Sequence, residues 1–438
     1  MHNLAIALHK KGYVVTGSDD EIYEPAASRL ASYGLMPAET GWFPQKITAD
    51  IETIVLGMHA KADNPELIRA RELGIRIFSF PEYLYEQTRN KKRIVVGGSH
   101  GKTTTTAMIM HVMAFNGIKF DYMIGSAIEG YETMVGLSDD AAIAVFEGDE
   151  YLSSPLDRRP KFHLYQPDIA IINGIAWDHM NVFPTYQGYV DQFRIFTDKI
   201  TAGGTLAYFT GDSEVVAVAE AARPDIIRRP YDIHGYMSNR TGVYAVTHNR
   251  TVKVGFFGRH NMQNLSAARE ACLAAGLTND QFYEAIPSFT GTSKRLQKLR
   301  DDGNTIVFHD FAHAPSKVKA TVDAVTETYQ GWNIVAVLEL HTFSSLNSEF
   351  ISHYSGTLDS ATHPFVYYNP HAISLKKLPM LNRDEVAEAF NCDRLTVTDS
   401  SEELFSLLPA AGNGKTVWLF MSSGDFDGND LQAFTKTL

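Results

Sequence analysis

The stretch RIVVGGSHGKTTTTAMIMHVM, residues 93–113, passes from an apolar strand through glycines to a lysine, four threonines and an apolar helix. A glycine-rich turn between a strand and a helix is the sequence form of a phosphate cradle: backbone N–H groups and the positive end of the helix dipole both turn toward an anion. The usual spacing places a glycine five residues before the Gly-Lys pair. That place is Val96 here, and Gly97 and Gly98 stand closer, so the loop is tight. An ordinary glycine-rich β–α turn does not account for Gly-Lys-Thr-Thr-Thr, which has no simple packing use. Gly98, Ser99, His100, Gly101, Lys102, Thr103 and Thr104 are therefore read as a nucleotide-phosphate site. Lys102 would bridge the β- and γ-phosphates, and the Thr103 hydroxyl would hold Mg²⁺.

The rest of the chain repeats the same alternation of short apolar runs and helical patterns, the mark of buried parallel strands. Helix Asn3 to Lys11 leads to a strand YVVTGSD, then a helix from Pro25, the strand TIVLG (53–57), the helix NPELIRARELG (64–74) and the strand IRIFSF (75–80). The charged run RNKKR (89–93) reads as a linker. A second unit has strands IVVGG, AAIAVFEGDE, IAIINGIAWDH and GGTLAYF, with helices at 103–116 and 188–200; GRHNMQNLSAAREACLAAG (258–276) reads as a loop followed by a helix. A third has TIVFHDFAHAP, WNIVAVLEL, THPFVYYN and KTVWLFMSSG. The expected architecture is α/β, with three successive Rossmann-like or P-loop domains at 1–89, 90–289 and 290–438.

Composition agrees with a globular protein and narrows its partners. The 438 residues are 44% hydrophobic and 21% charged, with a formal net charge of −12. A nucleic-acid binder usually carries a basic face, so none is expected. Two cysteines without a CxxC pair argue against a disulfide framework or structural zinc and for a reducing compartment. No apolar run is long enough to span a membrane, and MHNLAIALHKKG is an amphipathic helix rather than a leader.

Further chemistry gathers at strand ends, where open parallel sheets present their ligand crevice. AAIAVFEGDE ends in Glu147, Asp149 and Glu150; Glu147, directly at the strand end, is the expected Mg²⁺ ligand, against the plain reading of a solvated acidic loop. The next strand ends in Asp178-His179, and spacing alone leaves His179 between a second Mg²⁺ ligand and a structural histidine. Asn261 and Asn264 stand one turn apart at a helix start; on spacing alone they are helix caps, although an amide also suits an adenine edge. In the third unit Arg295 is a candidate to neutralise developing phosphate charge, and Asp310 to bind a ribose hydroxyl. Neither is specific alone.

These motifs, in this order and spacing, resemble the Mur ligase superfamily of ATP-dependent amide-forming enzymes. GSHGKTTTT (98–106) is similar to the family's short loop GT-x-GK-[ST]-T, with Ser99 in place of Thr, and the likeness continues through EGDE (147–150), NGIAWDH (173–179), GRHNMQN (258–264), KR (294–295) and DFAHAP (310–315). VTGSD (15–19) and HAKADNPELIRARELGI (59–75) resemble the UDP-sugar-binding domain of the branch that accepts UDP-N-acetylmuramate. This implies substrate contacts from Ser18, Asp19, His59 and Asn64. DEYLSSPLDRRPKF (149–162), DFAH and MSSGDFDG (421–428) look closest to the branch that adds the tripeptide L-Ala-γ-D-Glu-meso-diaminopimelate in peptidoglycan recycling; the branch that adds L-alanine is the alternative.

The resemblance implies a reaction through an acyl phosphate, with ATP and Mg²⁺ as cofactors. Lys102, His179 and Arg295 would be catalytic. Thr103, Glu147 and His179 would be the metal ligands, and Asn261, Asn264, Arg295 and Asp310 would lie on ATP. It also implies a cytoplasmic monomer or weak homodimer. Three departures stand out. The family's opening strand and glycine turn, HFIAIGGxxM-like, is represented only from Met1-His2-Asn3, so the first strand is expected to be missing. Ala314 replaces a polar residue in HAP. Gly148 replaces the usual Ala, a change expected to be mild because either residue is small. A GTPase or kinase-like switch is disfavoured by the short loop and the lack of NKxD, and a catalytically dead relative by the presence of Lys102, Glu147, His179 and Arg295.

Overall fold

The computed structural model describes residues 1–438 apart from 155, 178–181, 240–241, 292–294 and 413. The chain packs as two compact units. The first comprises Met1–Trp177, Val182–Asp232 and Asn264–Ile286; the second, Ile233–Gln263 and Pro287–Leu438. Among the described residues no helix is long and apolar enough to cross a membrane.

The first unit is built on a seven-stranded sheet. Its strands are β3 (Lys92–Gly97), β4 (Phe120–Met123), β5 (Val135–Gly136), β6 (Ile143–Glu147), β7 (Ile169–Ile172), β8 (Thr205–Phe209) and β9 (Ile227–Tyr231), in the order β5-β4-β6-β3-β7-β8-β9. All neighbours are parallel except β5, which runs antiparallel to β4. The central strand β3 has Ile94, Val95 and Val96 fully buried, because helices cover both faces of a parallel sheet. Phe146, Phe162, Tyr189, Phe193 and Phe196 form the core beneath the strand ends. A separate parallel pair, β1 (Thr53–Leu56) and β2 (Arg76–Ser79), follows the helix His2–Lys10.

Two expectations fail in this unit. YVVTGSD forms no strand: β1 pairs only with β2, and Val14 is 99% exposed. An alternating apolar run becomes a strand only where a neighbour supplies the hydrogen-bond ladder. RNKKR is not a linker either. Lys92 and Arg93 open β3, and Arg93 is 4% exposed. Its guanidinium donates to the carbonyls of Thr88 (2.9 Å), Arg89 (3.0 Å) and Tyr165 (2.9 Å) and pairs with Asp168 at 3.2 Å. It thus satisfies the last carbonyls of the helix Phe80–Thr88, a role open to a cation at a helix C-terminus.

The second unit holds a three-stranded antiparallel sheet of β10 (Tyr236–Asn239), β11 (Gly242–Val246) and β12 (Thr251–Val254), which the sequence reading did not single out. Its main sheet contains β13 (Gln297–Asp301), β14 (Thr305–Asp310), β15 (Asn333–Leu340), β16 (His363–Tyr368), β17 (Thr396–Thr398) and β18 (Thr416–Met421), ordered β13-β14-β18-β15-β16-β17. Only β13 is antiparallel. Successive residues face opposite sides, so Ile334, Ala336 and Leu338 join one core and Val335 and Val337 the other. Thr305–Asp310 and Thr416–Met421 lie within the expected third-domain strands.

Candidate active site

β3 delivers the glycine loop to the carboxyl edge of the seven-stranded sheet, and the helix Lys102–Phe115 leaves from it. Two glycines hold backbone that favours glycine: Gly98 at φ +130° and Gly101 at φ +74°. Space is as restrictive as conformation. A methyl on Gly98 would stand 2.9 Å from the Asn173 backbone nitrogen, and one on Gly101 would stand 2.2 Å from Asn264 Oδ1 and 2.8 Å from Asn173 Nδ2. Asn173 is fully buried; it donates to Thr105 Oγ1 at 3.0 Å and accepts from the Tyr231 hydroxyl at 2.8 Å. Asn264 Oδ1 accepts from Thr105 Oγ1 at 3.3 Å. Within this unit Asn264 is therefore a buried buttress of the loop, not an N-cap.

Lys102 Nζ donates to Gly98 O at 2.6 Å and pairs with Glu150 Oε2 at 2.6 Å. Burial opposes its charge, but Glu150, Asp149 and Glu147 together outweigh burial and raise its pKa above the ordinary value. Lys102 is thus a fixed cation at the mouth of the loop. Ser99 extends the network: its hydroxyl lies 2.8 Å from the Tyr189 hydroxyl and accepts from Ala176 N at 2.8 Å, while Tyr189 donates to Glu150 Oε1 at 3.2 Å. Ser99 in place of Thr keeps the one hydroxyl this relay uses. His100 closes over the loop, since a methyl on Gly174 would meet its Nε2 at 2.5 Å. Thr104 is half-buried in the first helical turn.

Glu147 ends β6, 5% exposed. It accepts from the Thr103 hydroxyl at 2.8 Å and from Gly125 N–H at 2.7 Å. Burial and then the neighbouring Asp149 push its pKa up, against Lys102, Gly125 and Thr103, which favour the charged form. A cation beside it would relieve that penalty. No group of three or more His, Cys, Asp or Glu suited to a metal occurs among the described residues. The pair of hard oxygen donors, Thr103 and Glu147, nevertheless fits Mg²⁺, which keeps several waters and binds through one or two protein oxygens plus substrate phosphates. His179 lies outside the described residues.

The acidic segment after β6 folds back on itself. Phe162 N–H donates to Asp149 O and Lys161 N–H to Tyr151 O, both at 3.1 Å, and Leu152 bridges Pro160. This returns Lys161 to Asp149, with Nζ 3.2 Å from the carboxylate and 4.2 Å from the centre of the Tyr151 ring. Glu150, Asn173, Tyr189 and Lys161 were all missed as site residues. For Glu150 and Asn173 the only sequence signal was a place inside EGDE and NGIAWDH. Gly148 is also tighter than expected: a methyl there would stand 2.8 Å from the buried Val95 Cγ1, so alanine requires a shift.

The remaining candidates divide between the units. In the first, Asn64 caps the helix Pro65–Glu72, its Oδ1 accepting from Glu66 N–H (2.9 Å) and Leu67 N–H (3.1 Å). His59 is exposed, Ser18 is half-buried, and the Asp19 carboxylate accepts from Asp20 N–H at 3.0 Å. In the second, Asn261 donates to Phe257 O at 2.9 Å inside the helix Arg259–Ala275, which begins where a loop was expected. Asp310 is 6% exposed and accepts from Leu296 N–H at 2.6 Å and Ala312 N–H at 2.7 Å. It thereby holds the backbone next to Arg295, whose guanidinium lies 4.9 Å from the centre of the Phe311 ring.

Comparison with known proteins places these motifs in context. Residues 96–272 match the Mur ligase middle domain and residues 1–92 the Mur ligase family catalytic domain. A UDP-N-acetylmuramate–L-alanine ligase of Persephonella marina is 30% identical over 361 residues, spanning 80% of this chain and 76% of the relative. The UDP-N-acetylmuramate–L-alanyl-γ-D-glutamyl-meso-2,6-diaminoheptandioate ligase of Haemophilus influenzae is 28% identical over 349 residues, 77% of each chain. The crystal structure of the Thermotoga maritima UDP-N-acetylmuramate–alanine ligase shares the fold, with a TM-score of 0.71 at 20% identity over 99% of this chain and 96% of that one.

Proposed function

The chain belongs to the Mur ligase family of ATP-dependent amide- and peptide-forming ligases, and from that premise we propose that it joins the carboxylate of UDP-N-acetylmuramate to the amine of the tripeptide L-Ala-γ-D-Glu-meso-diaminopimelate, in peptidoglycan recycling. The observation that carries the acceptor is DEYLSSPLDRRPKF, residues 149–162, which resembles the tripeptide-adding branch. Its fold-back, which seats Lys161 on Asp149 beside Glu147 and Glu150, supports a role for this segment near the reacting groups. The alternative acceptor is L-alanine, supported by the name of the 30% identical relative.

The proposed chemistry has two steps. The sugar-acid carboxylate attacks the γ-phosphorus of ATP, giving an acyl phosphate and ADP. The amine then adds to the acyl carbon, and phosphate leaves as the tetrahedral intermediate collapses and the amine gives up its proton. Lys102 and the N–H groups of Gly98–Thr104 stabilise the charge on the transferred phosphoryl group. Thr103 and Glu147 would hold a Mg²⁺, which supplies charge neutralisation on the phosphate oxygens. For the lysine to meet a phosphate it must exchange its bond to Glu150, and Tyr189 remains within reach of the released carboxylate. Arg295 serves the phosphates and Asn261 and Asp310 the nucleoside, with Asp310 acting at least in part through the Arg295 loop. Nucleotide-linked substrates support a cytoplasmic location.

The deciding experiment is phosphate release with UDP-N-acetylmuramate, ATP and either tripeptide or L-alanine. The proposal requires the higher kcat/KM with tripeptide; a preference for free L-alanine refutes it.

A further inference from the structure

A chain of buried hydroxyls ties the phosphate loop to the acid that holds its lysine. Tyr189 stands one turn into the helix Tyr186–Asp198 and is fully buried, its ring 5.5 Å from that of Phe183 and 5.3 Å from that of Phe193 between centres. Its hydroxyl lies 2.8 Å from Ser99 Oγ and 3.2 Å from Glu150 Oε1. A carboxylate only accepts, so the tyrosine proton goes to Glu150 and the serine proton to the tyrosine oxygen. Ser99 Oγ in turn accepts from Ala176 N–H at 2.8 Å, and Ser99 N–H donates to Gly174 O at 3.0 Å. One phenol thus joins the loops that follow β3, β6 and β7.

The two acids after Gly148 differ in what the reaction asks of their cations. Asp149 keeps Lys161, which has no part in the phosphoryl step. Glu150 is 1% exposed and is paired through Oε2 with Lys102, the cation that phosphate draws away. A carboxylate that stays buried while its cation leaves is costly unless hydrogen bonds take the charge over. A hydroxyl serves that end well, because its bond to a charged oxygen is stronger than its bond to a neutral one. Tyr189 already stands on Oε1, the oxygen that Lys102 does not use, so it supplies that bond without moving.

We propose that Tyr189 is a positioning residue for phosphoryl transfer. It steadies the Glu150 carboxylate while Lys102 is engaged with phosphate, and through Ser99 it keeps the phosphate loop in register with that exchange. The assignment rests on the reading of Lys102 as the phosphate cation and is independent of which acceptor the enzyme takes.

The test is a cycle of four proteins: wild type, Tyr189→Phe, Glu150→Gln and the double variant. Phenylalanine keeps the ring contacts with Phe183 and Phe193 and removes only the hydroxyl. In Tyr189→Phe, kcat/KM for ATP is expected to fall about tenfold, the loss of one charge-assisted bond. In the Glu150→Gln background no charge is left buried, so the same substitution should change kcat/KM by less than about twofold. The same comparison on the affinity for a non-hydrolysable ATP analogue with Mg²⁺, by calorimetry, reports the coupling even in a protein without turnover. No loss in Tyr189→Phe, or equal losses in both backgrounds, overturns the assignment, since a merely structural tyrosine would act the same with either side chain at position 150. Wild-type turnover in Lys102→Met overturns the reading of Lys102 and the assignment with it. That outcome is seen with Tyr189 and Glu150 untouched and so is distinct from the other two.

Discussion

Lys102 and Glu150 form a buried ion pair of 2.6 Å, with the lysine side chain 12% and the glutamate 1% exposed. Breaking such a pair by removing one partner leaves the other charge stranded, at a cost of about 3–5 kcal/mol. Lys102→Met should therefore lower the midpoint of chemical denaturation as well as abolish ATP-dependent phosphate release. Adding Glu150→Gln should restore most of the stability and none of the activity. Turnover in either variant would remove Lys102 from the reaction.

Gly101 is constrained twice, by its left-handed backbone and by Asn264 Oδ1 2.2 Å from where a methyl would go. Gly101→Ala should weaken nucleotide binding severely and destabilise the first unit by about 1–3 kcal/mol. Gly101→Ala combined with Asn264→Ala removes that contact but leaves Asn173 Nδ2 at 2.8 Å and the left-handed backbone, so nucleotide affinity measured by calorimetry should stay poor. Full recovery in that double variant would show that φ is not the constraint.

His163 is 6% exposed, its Nε2 2.7 Å from Gln192 O and its ring stacked on Phe162. Burial, only partly opposed by the Gln192 carbonyl, depresses its pKa to about 4. The folded state thus resists the proton that the unfolded chain accepts near pH 6.5. The stability from neutral His163 is complete above pH 6.5 and is lost as pH falls from there toward 4, by up to about 2–3 kcal/mol. In His163→Gln the denaturation midpoint should vary less across that window; an unchanged slope would exclude His163 as its source.

Asp310 holds two buried N–H groups, those of Leu296 and Ala312, on its two oxygens. Asp310→Ala strands both donors and should destabilise the second unit by about 2–4 kcal/mol. Asp310→Asn keeps one acceptor and should fold better. If Asp310 acts through Arg295, kcat falls in both variants with little change in KM for ATP; a pure rise in KM for ATP would place Asp310 on the nucleoside instead.

The glycine loop, Lys102, Thr103 and Glu147 were legible because each is a short local signature at the end of an apolar strand. Their partners were not. Glu150 meets Lys102 across 48 positions and Tyr189 meets Ser99 across 90, and no local pattern encodes such pairings. Arg93 looked solvated in a charged run, yet the folded helix end offers it carbonyls that a sequence does not display. Gly148 looked exchangeable for alanine until Val95 and Phe162 were packed against it.

The sequence by itself determined the α/β alternation, the tight glycine loop and the acids at its strand ends, because glycine conformation, apolar run length and strand–helix order are local properties. Tertiary structure decided which charges are paired, which glycines cannot be replaced, and whether YVVTGSD is a strand. Ladder pairing, burial and close approach depend on what the rest of the fold brings alongside.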